Sequence, residues 1–359
     1  MYRIFLTILI SFVCSSVFSQ IRSDNQNYIP YFQKTAQAES AILDSNYFHA
    51  ISIYDSIFIN YDFVFPDDTY IAAQLASYLK LNEKCFLYLK KGIQNGLDLE
   101  SSLQNYHLLN WSKTSEGLMM TGQLIDSLKM INSSRINWEL KLKMVEMIKK
   151  DQEIRDKSET FLNAMIFNHH LKPRLYKKWK IQSTEFSEEI LKLTKLYGFP
   201  SHKIIGTNDE RLVKKFRTSS MSNYATIILY HNDNSWNLLK DELYTQLEQG
   251  NITPKQYALI RDFATRQYVF GGMTDSTLVD FKYFIRWTTN TDDQKSYDIK
   301  QKWIMKNLQT IDSARLEIGL TSYEYQEKKR KMQFAYNKEN TKEIKSTLAC
   351  FDFKFFSLD

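Results

Sequence analysis

Glycine and proline are scarce in this chain, 10 and 5 among 359 residues, about a third of their usual combined share of roughly 12%. Many-stranded sandwiches and barrels need frequent turn formers, and collagen-like or low-complexity chains need more still, so these classes are excluded. Cysteine is also rare, at three residues with no C-x-x-C spacing, which gives a structural zinc site no support. No stretch reaches 18 consecutive apolar residues, so the mature chain offers no transmembrane segment. The signatures G-x-S-x-G, G-x-x-x-x-G-K-[ST], G-x-G-x-x-G and H-E-x-x-H are all missing. The adjacent His169 and His170 cannot face one metal from a regular helix. The sequence therefore points to no cofactor and no metal.

What is present is 43% apolar and 14% aromatic residues, ample for a core. The expected fold is mainly α: tetratricopeptide-like helical hairpins at the N-terminus, then a helical C-terminal domain with at most a few short strands. The chain divides into residues 1–19, 20–130 and 137–359. The first piece reads as a secretory signal peptide, with Arg3, an apolar run Ile4–Val13 (IFLTILISFV), and small residues up to Ser19. An N-terminal anchor helix is one alternative, and a lipoprotein reading through Cys14 is another, with Val13 standing where that motif has a small residue. Cleavage before Gln20 would leave an exported protein, periplasmic or extracellular, with 46 basic against 41 acidic residues. That mixed balance is no nucleic-acid footprint. The densest basic run, Lys328–Lys331, falls in an expected helix and reads as a solvated face, with an anionic-partner patch as the alternative. Cys85 and Cys350 would remain in the mature chain, either bridged or as two buried thiols.

An internal repeat organises the first half. Ala50, Tyr54 and Ile57 share one helical face, and Cys85, Leu89 and Gly92 repeat the spacing 35 residues later. Each set follows a plausible helix, Gln33–Leu43 and Thr69–Leu79, and small residues let paired helices approach closely. Residues 30–95 thus resemble two tetratricopeptide-like hairpins, which lack the first-helix Trp and Leu-Gly marks. Leu103, Leu108, Leu109, Trp111, Leu118 and Leu124 would cover the open end. Such hairpins serve either as a protein-binding groove or as a platform for the rest.

A polar boundary is expected at Ile131–Ile136, then a helix over Asn137–Lys157 with an apolar stripe of Trp138, Leu142, Val145 and Ile148. That stripe continues into Asp151, Gln152 and Arg155, polar groups that need partners if they point inward. Further helices are expected before Tyr197–Pro200, at Tyr224–His231, from Trp236 to Leu247, and after Thr253-Pro254. Gly198, Gly250 and Gly319 stand at helix ends. Thr321-x-x-Glu324 reads as a capping box for a last long helix. Trp287–Lys300 reads as a polar connection and Leu348–Phe356 as one short strand or extended arm.

The combination of Asp151-Gln152-x-x-Arg155, Tyr197–Pro200 with Gly206, the helix ending in His231, Tyr257-Ala258 with Asp262, and Asp312-x-x-Arg315-x-x-x-Gly319-Leu320 resembles a bacterial domain of unknown function catalogued as number six-six-two-four. The resemblance covers roughly residues 137–330. This chain departs from the pattern at Asp262-Phe263, where the family has Asp-Arg, and at Tyr268–Met273 (YVFGGM), where it has Q-x-Y-G-T-Q. The resemblance implies a residue set but no activity: Asp151, Arg155, His231, Asp262, Asp312 and Arg315. A histidine with carboxylates could do acid–base work, and arginines could clamp an anion. The same residues could equally be ion pairs tying helices together.

Two functions follow. One is an exported scaffold that binds another protein through its repeat-like half. The other is a hydrolase-like enzyme acting on an anionic or peptide-like envelope substrate, with His231, Asp262 and Arg155 as catalytic groups and Asp151, Asp312 and Arg315 as binding groups.

Overall fold

A computed structural model describes residues 26–163, 172–207, 223–230, 232, 234–265, 269–271, 302 and 304–340, with backbone alone for 155–163, 172–176, 330 and 333–340. The leader, His231, Trp287–Lys300, Cys350 and the aromatic tail lie outside the described residues, as does the side chain of Arg155.

The fold is mainly α, with no strand among the described residues. Helices α1 (Ile29–Leu43) and α2 (Tyr47–Asn60) form one hairpin, and α3 (Pro66–Tyr78) and α4 (Asn82–Gln94) a second. The two turns share one geometry. Ser45 and Lys80, 35 residues apart, both adopt left-handed backbone at φ +61° and +59°. Beside them the Asn46 N–H donates to Ala41 O and the Leu81 N–H to Ala76 O, each at 2.8 Å. These bonds reach back five residues and satisfy carbonyls that a helix end leaves unpaired. Ala50, Tyr54, Ile57, Cys85 and Leu89 are fully buried, as their spacing predicts. Gly92 lies so close to α3 that a Cβ on it would sit 2.5 Å from Thr69 Oγ1. Cys85 is a free, buried thiol.

Three short helices follow, α5 (Leu99–Ser102), α6 (Tyr106–Trp111) and α7 (Ser115–Leu118), then α8 (Gly122–Arg135). Leu108 and Trp111 are buried against the second hairpin, whereas Leu109 and Leu118 face solvent. The expected polar boundary is instead the last turn of α8, and the chain re-enters a helix at Trp138.

Helix α9 (Trp138–Asn163) pairs with α10 (Lys172–Tyr197). Half of the expected stripe faces inward: Ile148 is buried and Val145 packs on the core, whereas Trp138 and Leu142 are 52% and 68% exposed and Leu140, Met144 and Met147 are buried in their place. Asp151, three residues beyond Ile148, continues the stripe as expected and is buried. The helix before Gly198 starts as early as Lys172. The chain continues through α11 (His202–Ile205), α12 (Tyr224–Tyr230), α13 (Ser235–Glu248), α14 (Pro254–Thr265), α15 (Leu308–Glu317) and α16 (Tyr323–Asn340).

One apolar cluster runs from Tyr28 to Ile318, so the hairpins and the later helices share a core. Two glycines permit this. Gly250 (φ +67°) and Gly319 (φ +87°) end α13 and α15 in left-handed backbone, where a side chain is strained. A Cβ on Gly250 would lie 2.4 Å from the Tyr28 ring, and one on Gly319 would lie 2.4 Å from Phe32 Cβ. The Tyr28 N–H donates to Glu248 O at 2.7 Å, closing the same contact.

Candidate functional site

Of the residues selected from sequence, Asp262 and Arg315 meet around a single residue. The Asp262 carboxylate, buried on α14, accepts the Phe270 N–H at 3.1 and 3.3 Å. Arg315, 1% exposed on α15, donates from Nη1 to the Phe270 carbonyl at 2.8 Å and from Nε to the Thr321 carbonyl at 2.7 Å. Asp312 Oδ1 accepts the Tyr323 N–H at 2.6 Å, fixing the first turn of α16. That helix starts one residue later than expected. Ser322, not Thr321, caps it, and Glu324 pairs with Lys328 instead of closing a capping box. Asp151 accepts a bond from its neighbour Gln152 at 3.1 Å. Thus Asp262, Arg315 and Asp312 each hold backbone at a turn. His231 and the Arg155 side chain lie outside the described residues, so the expected catalytic trio has no described geometry.

The densest group of buried charges lies elsewhere, where the hairpins meet α14 and α16. Four chain segments line a half-open cavity of about 100 Å³ there. Helix α1 supplies Phe32, Thr35, Ala36 and Glu39 from one face. The start of α3 supplies Asp67 and Asp68, Thr253–Lys255 open α14, and Gly319–Thr321 with Lys329 complete the wall. Local chemistry fixes each segment. Pro66 begins α3, so Asp67 and Asp68 occupy its first turn, where the helix dipole favours negative charge. Thr253 and Gln256 form a reciprocal capping box, Thr253 N–H to Gln256 Oε1 at 3.0 Å and Gln256 N–H to Thr253 Oγ1 at 3.3 Å.

Inside this wall Lys329 Nζ pairs with Glu39 Oε2 at 2.7 Å, with side chains only 5% and 4% exposed. The basic run is therefore not one solvated face: Lys328 and Lys331 are exposed, and Lys329 is buried. The Tyr31 hydroxyl donates to Asp68 Oδ2 at 2.5 Å and accepts the Phe65 N–H at 3.0 Å. Burial holds the Asp68 carboxyl well above the usual carboxylate range against the Tyr31 hydrogen bond, and Glu39 pushes it further. Asp67 is partly buried as a residue, but its Oδ1 is sealed from solvent with no hydrogen-bond partner. Burial pushes the Asp67 carboxyl up to about 7, with Lys255 pulling it down and Glu39 raising it. A wider groove of about 610 Å³ shares Ala36 and Gly319–Thr321 with this cavity and carries His49, Asp44 and Tyr325. The Tyr325 hydroxyl donates to Asp44 there.

Among the described residues no group of three His, Cys, Asp or Glu side chains is placed to hold a metal ion, and no helix is long and apolar enough to cross a membrane. Comparison with protein-family models, with curated proteins and with solved structures returns no match for this chain.

Proposed function

We propose that the protein is an exported, helical binding protein that engages another protein through the outer helices of its paired hairpins. One observation supports this most. Helix α2 packs chiefly on α1 and α3, and it exposes Phe48 and Ile59, three turns apart on one face, at 69% and 83%. Leu87 on α4 is 57% exposed, at the position 35 residues beyond Ser52 of that same face. Apolar side chains repeated along paired helices are the usual contacts of a protein partner. The rival enzyme would need Asp262 for acid–base work, whereas its carboxylate is engaged with the Phe270 N–H. Export rests on the leader, with Gln20 as the first residue of the mature chain.

Deleting the hairpins is a poor test, because they share a core with the later helices. The variant Phe48→Ser/Ile59→Ser/Leu87→Ser leaves that core intact. Crosslinking in intact cells, followed by recovery of the protein, is expected to yield a partner with the parent chain and none with the variant. Equal recovery of the same partner by both would overturn the proposal. Amino-terminal sequencing of the mature protein tests the leader.

A further inference from the structure

Charge is unevenly spread along the α9–α10 pair. Between Glu159 and Glu185 the sequence holds Lys172, Arg174, Lys177, Lys178 and Lys180 and no acidic residue. Nearer the core the pair balances its lysines, since Lys143 joins Glu189 and Lys150 joins Glu146. Helix α9 also presents Lys149 and the exposed Glu153 one turn apart, a balanced couple. Lys177 and Lys178 on α10 are exposed, and neither pairs with a carboxylate among the described side chains. Ile181, one turn beyond Lys177 on the same face, is 52% exposed, and the first described side chain of α10 to be buried is Ser183. A helix face that meets only water carries polar residues along its length. An outward isoleucine set among lysines fits a lipid surface instead, where cations meet anionic head groups and an apolar side chain enters the boundary beneath them. A soluble polyanion matches the charges but offers Ile181 no apolar partner.

We propose that this end of the helix pair docks on an anionic lipid surface, with Lys177 and Lys178 against the head groups and Ile181 between them. The contact is peripheral, because no helix among the described residues is long and apolar enough to cross a membrane. One isoleucine anchors little by itself, so binding depends on charge and is reversible. It therefore weakens in salt, since attraction at a lipid surface falls off within a Debye length. This surface is separate from Phe48, Ile59 and Leu87, which lie on α2 and α4.

The mature protein is sedimented with vesicles of mixed phosphatidylglycerol and phosphatidylcholine, and with vesicles of phosphatidylcholine alone. Pelleting is expected with the anionic vesicles in low salt, and neither with the neutral vesicles nor in high salt. Lys177→Glu/Lys178→Glu is expected to weaken binding by about tenfold or more, and Ile181→Ser by about threefold or more. Lys113→Glu/Lys129→Glu reverses two exposed lysines outside the pair, changes the net charge equally, and is expected to bind like the parent. Circular dichroism checks that the variants fold, and soluble polyphosphate is titrated in parallel. The proposal is overturned if anionic vesicles leave the protein in the supernatant, if neutral vesicles pellet it equally, if the two double reversals weaken binding alike, or if folded Ile181→Ser keeps the parent affinity. Binding of polyphosphate without pelleting by anionic vesicles would also overturn it and make the partner a soluble polyanion.

Discussion

Glu39 and Lys329, 290 residues apart in sequence, form an ion pair of 2.7 Å with almost no exposure. The pair ties the first helix to the last described one. Removing one partner leaves a buried charge alone, which costs about 3–5 kcal/mol, whereas replacing both by apolar residues of similar size is often neutral. Lys329→Met is therefore expected to lose about 3–5 kcal/mol in urea unfolding. The double variant Glu39→Leu/Lys329→Met is expected to recover most of that loss. Additive losses in the double variant would show that the two side chains act separately.

At Gly250 and Gly319 the two halves of the core touch. At Gly319 a Cβ would meet both Phe32 Cβ at 2.4 Å and its carbonyl carbon at 2.7 Å, so backbone would have to move. Left-handed strain of about 1–2 kcal/mol adds to overpacking of about 1–3 kcal/mol. Gly319→Ala and Gly250→Ala are each expected to destabilise by about 2–5 kcal/mol. Gly122, with nothing within 4 Å of its Cβ position, provides the control. Its alanine variant should be neutral or slightly stabilising.

The helices were legible because local rules govern them: the 35-residue repeat, the glycines after Tyr197 and Glu248, and the Thr253-Pro254 start all stand where the spacing puts them. The inward placement of Asp151 was legible too, since it continues the apolar stripe of α9, whereas Asp262 and Arg315 were singled out only by the family resemblance. Residues 138–148 carry two competing apolar stripes that converge at Ile148, and packing against α10 and α12 selects Leu140, Met144 and Met147 over Trp138 and Leu142. No local pattern distinguishes those choices.

The cavity was not legible at all. Its acids look like an ordinary helix start, and Lys329 sits inside a basic run that reads as solvated. Only the meeting of segments near residues 39, 67, 254 and 329 gives those charges a common environment. Such contacts have no sequence period, so no window of the chain can show them.

Arg315 is expected to tolerate neither Met nor Lys. Its Nε and Nη1 serve two different carbonyls, those of Thr321 and Phe270. Methionine leaves both without their charged donor, at a cost of about 2–4 kcal/mol. Lysine presents one compact ammonium instead of a planar fork and cannot reproduce both directions. Arg315→Lys should therefore retain less than half of the stability difference between the parent and Arg315→Met, read from urea midpoints at constant slope. Full rescue by lysine would mean that charge alone matters there.

The Asp67 carboxyl gives stability a pH dependence of defined sign. In an unfolded chain it ionises near 3.8, and in the folded protein near 7. Between those values the folded protein holds a proton that the unfolded chain has released. The contribution of this group is thus complete below about pH 4, is lost as pH rises towards 7, and stays lost above it. Every pH unit that separates the folded from the unfolded ionisation midpoint corresponds to about 1.4 kcal/mol. Partial exposure of the residue reduces the total to about 1–3 kcal/mol. Urea unfolding of the parent at pH 4.5, 5.5, 6.5 and 7.5 is expected to show this decline superimposed on that of the other groups. Asp67→Asn cannot titrate, so its stability relative to the parent should rise by about 1–3 kcal/mol across the same range. A constant difference between the two proteins at all four pH values would mean that Asp67 ionises in the folded state as it does in water.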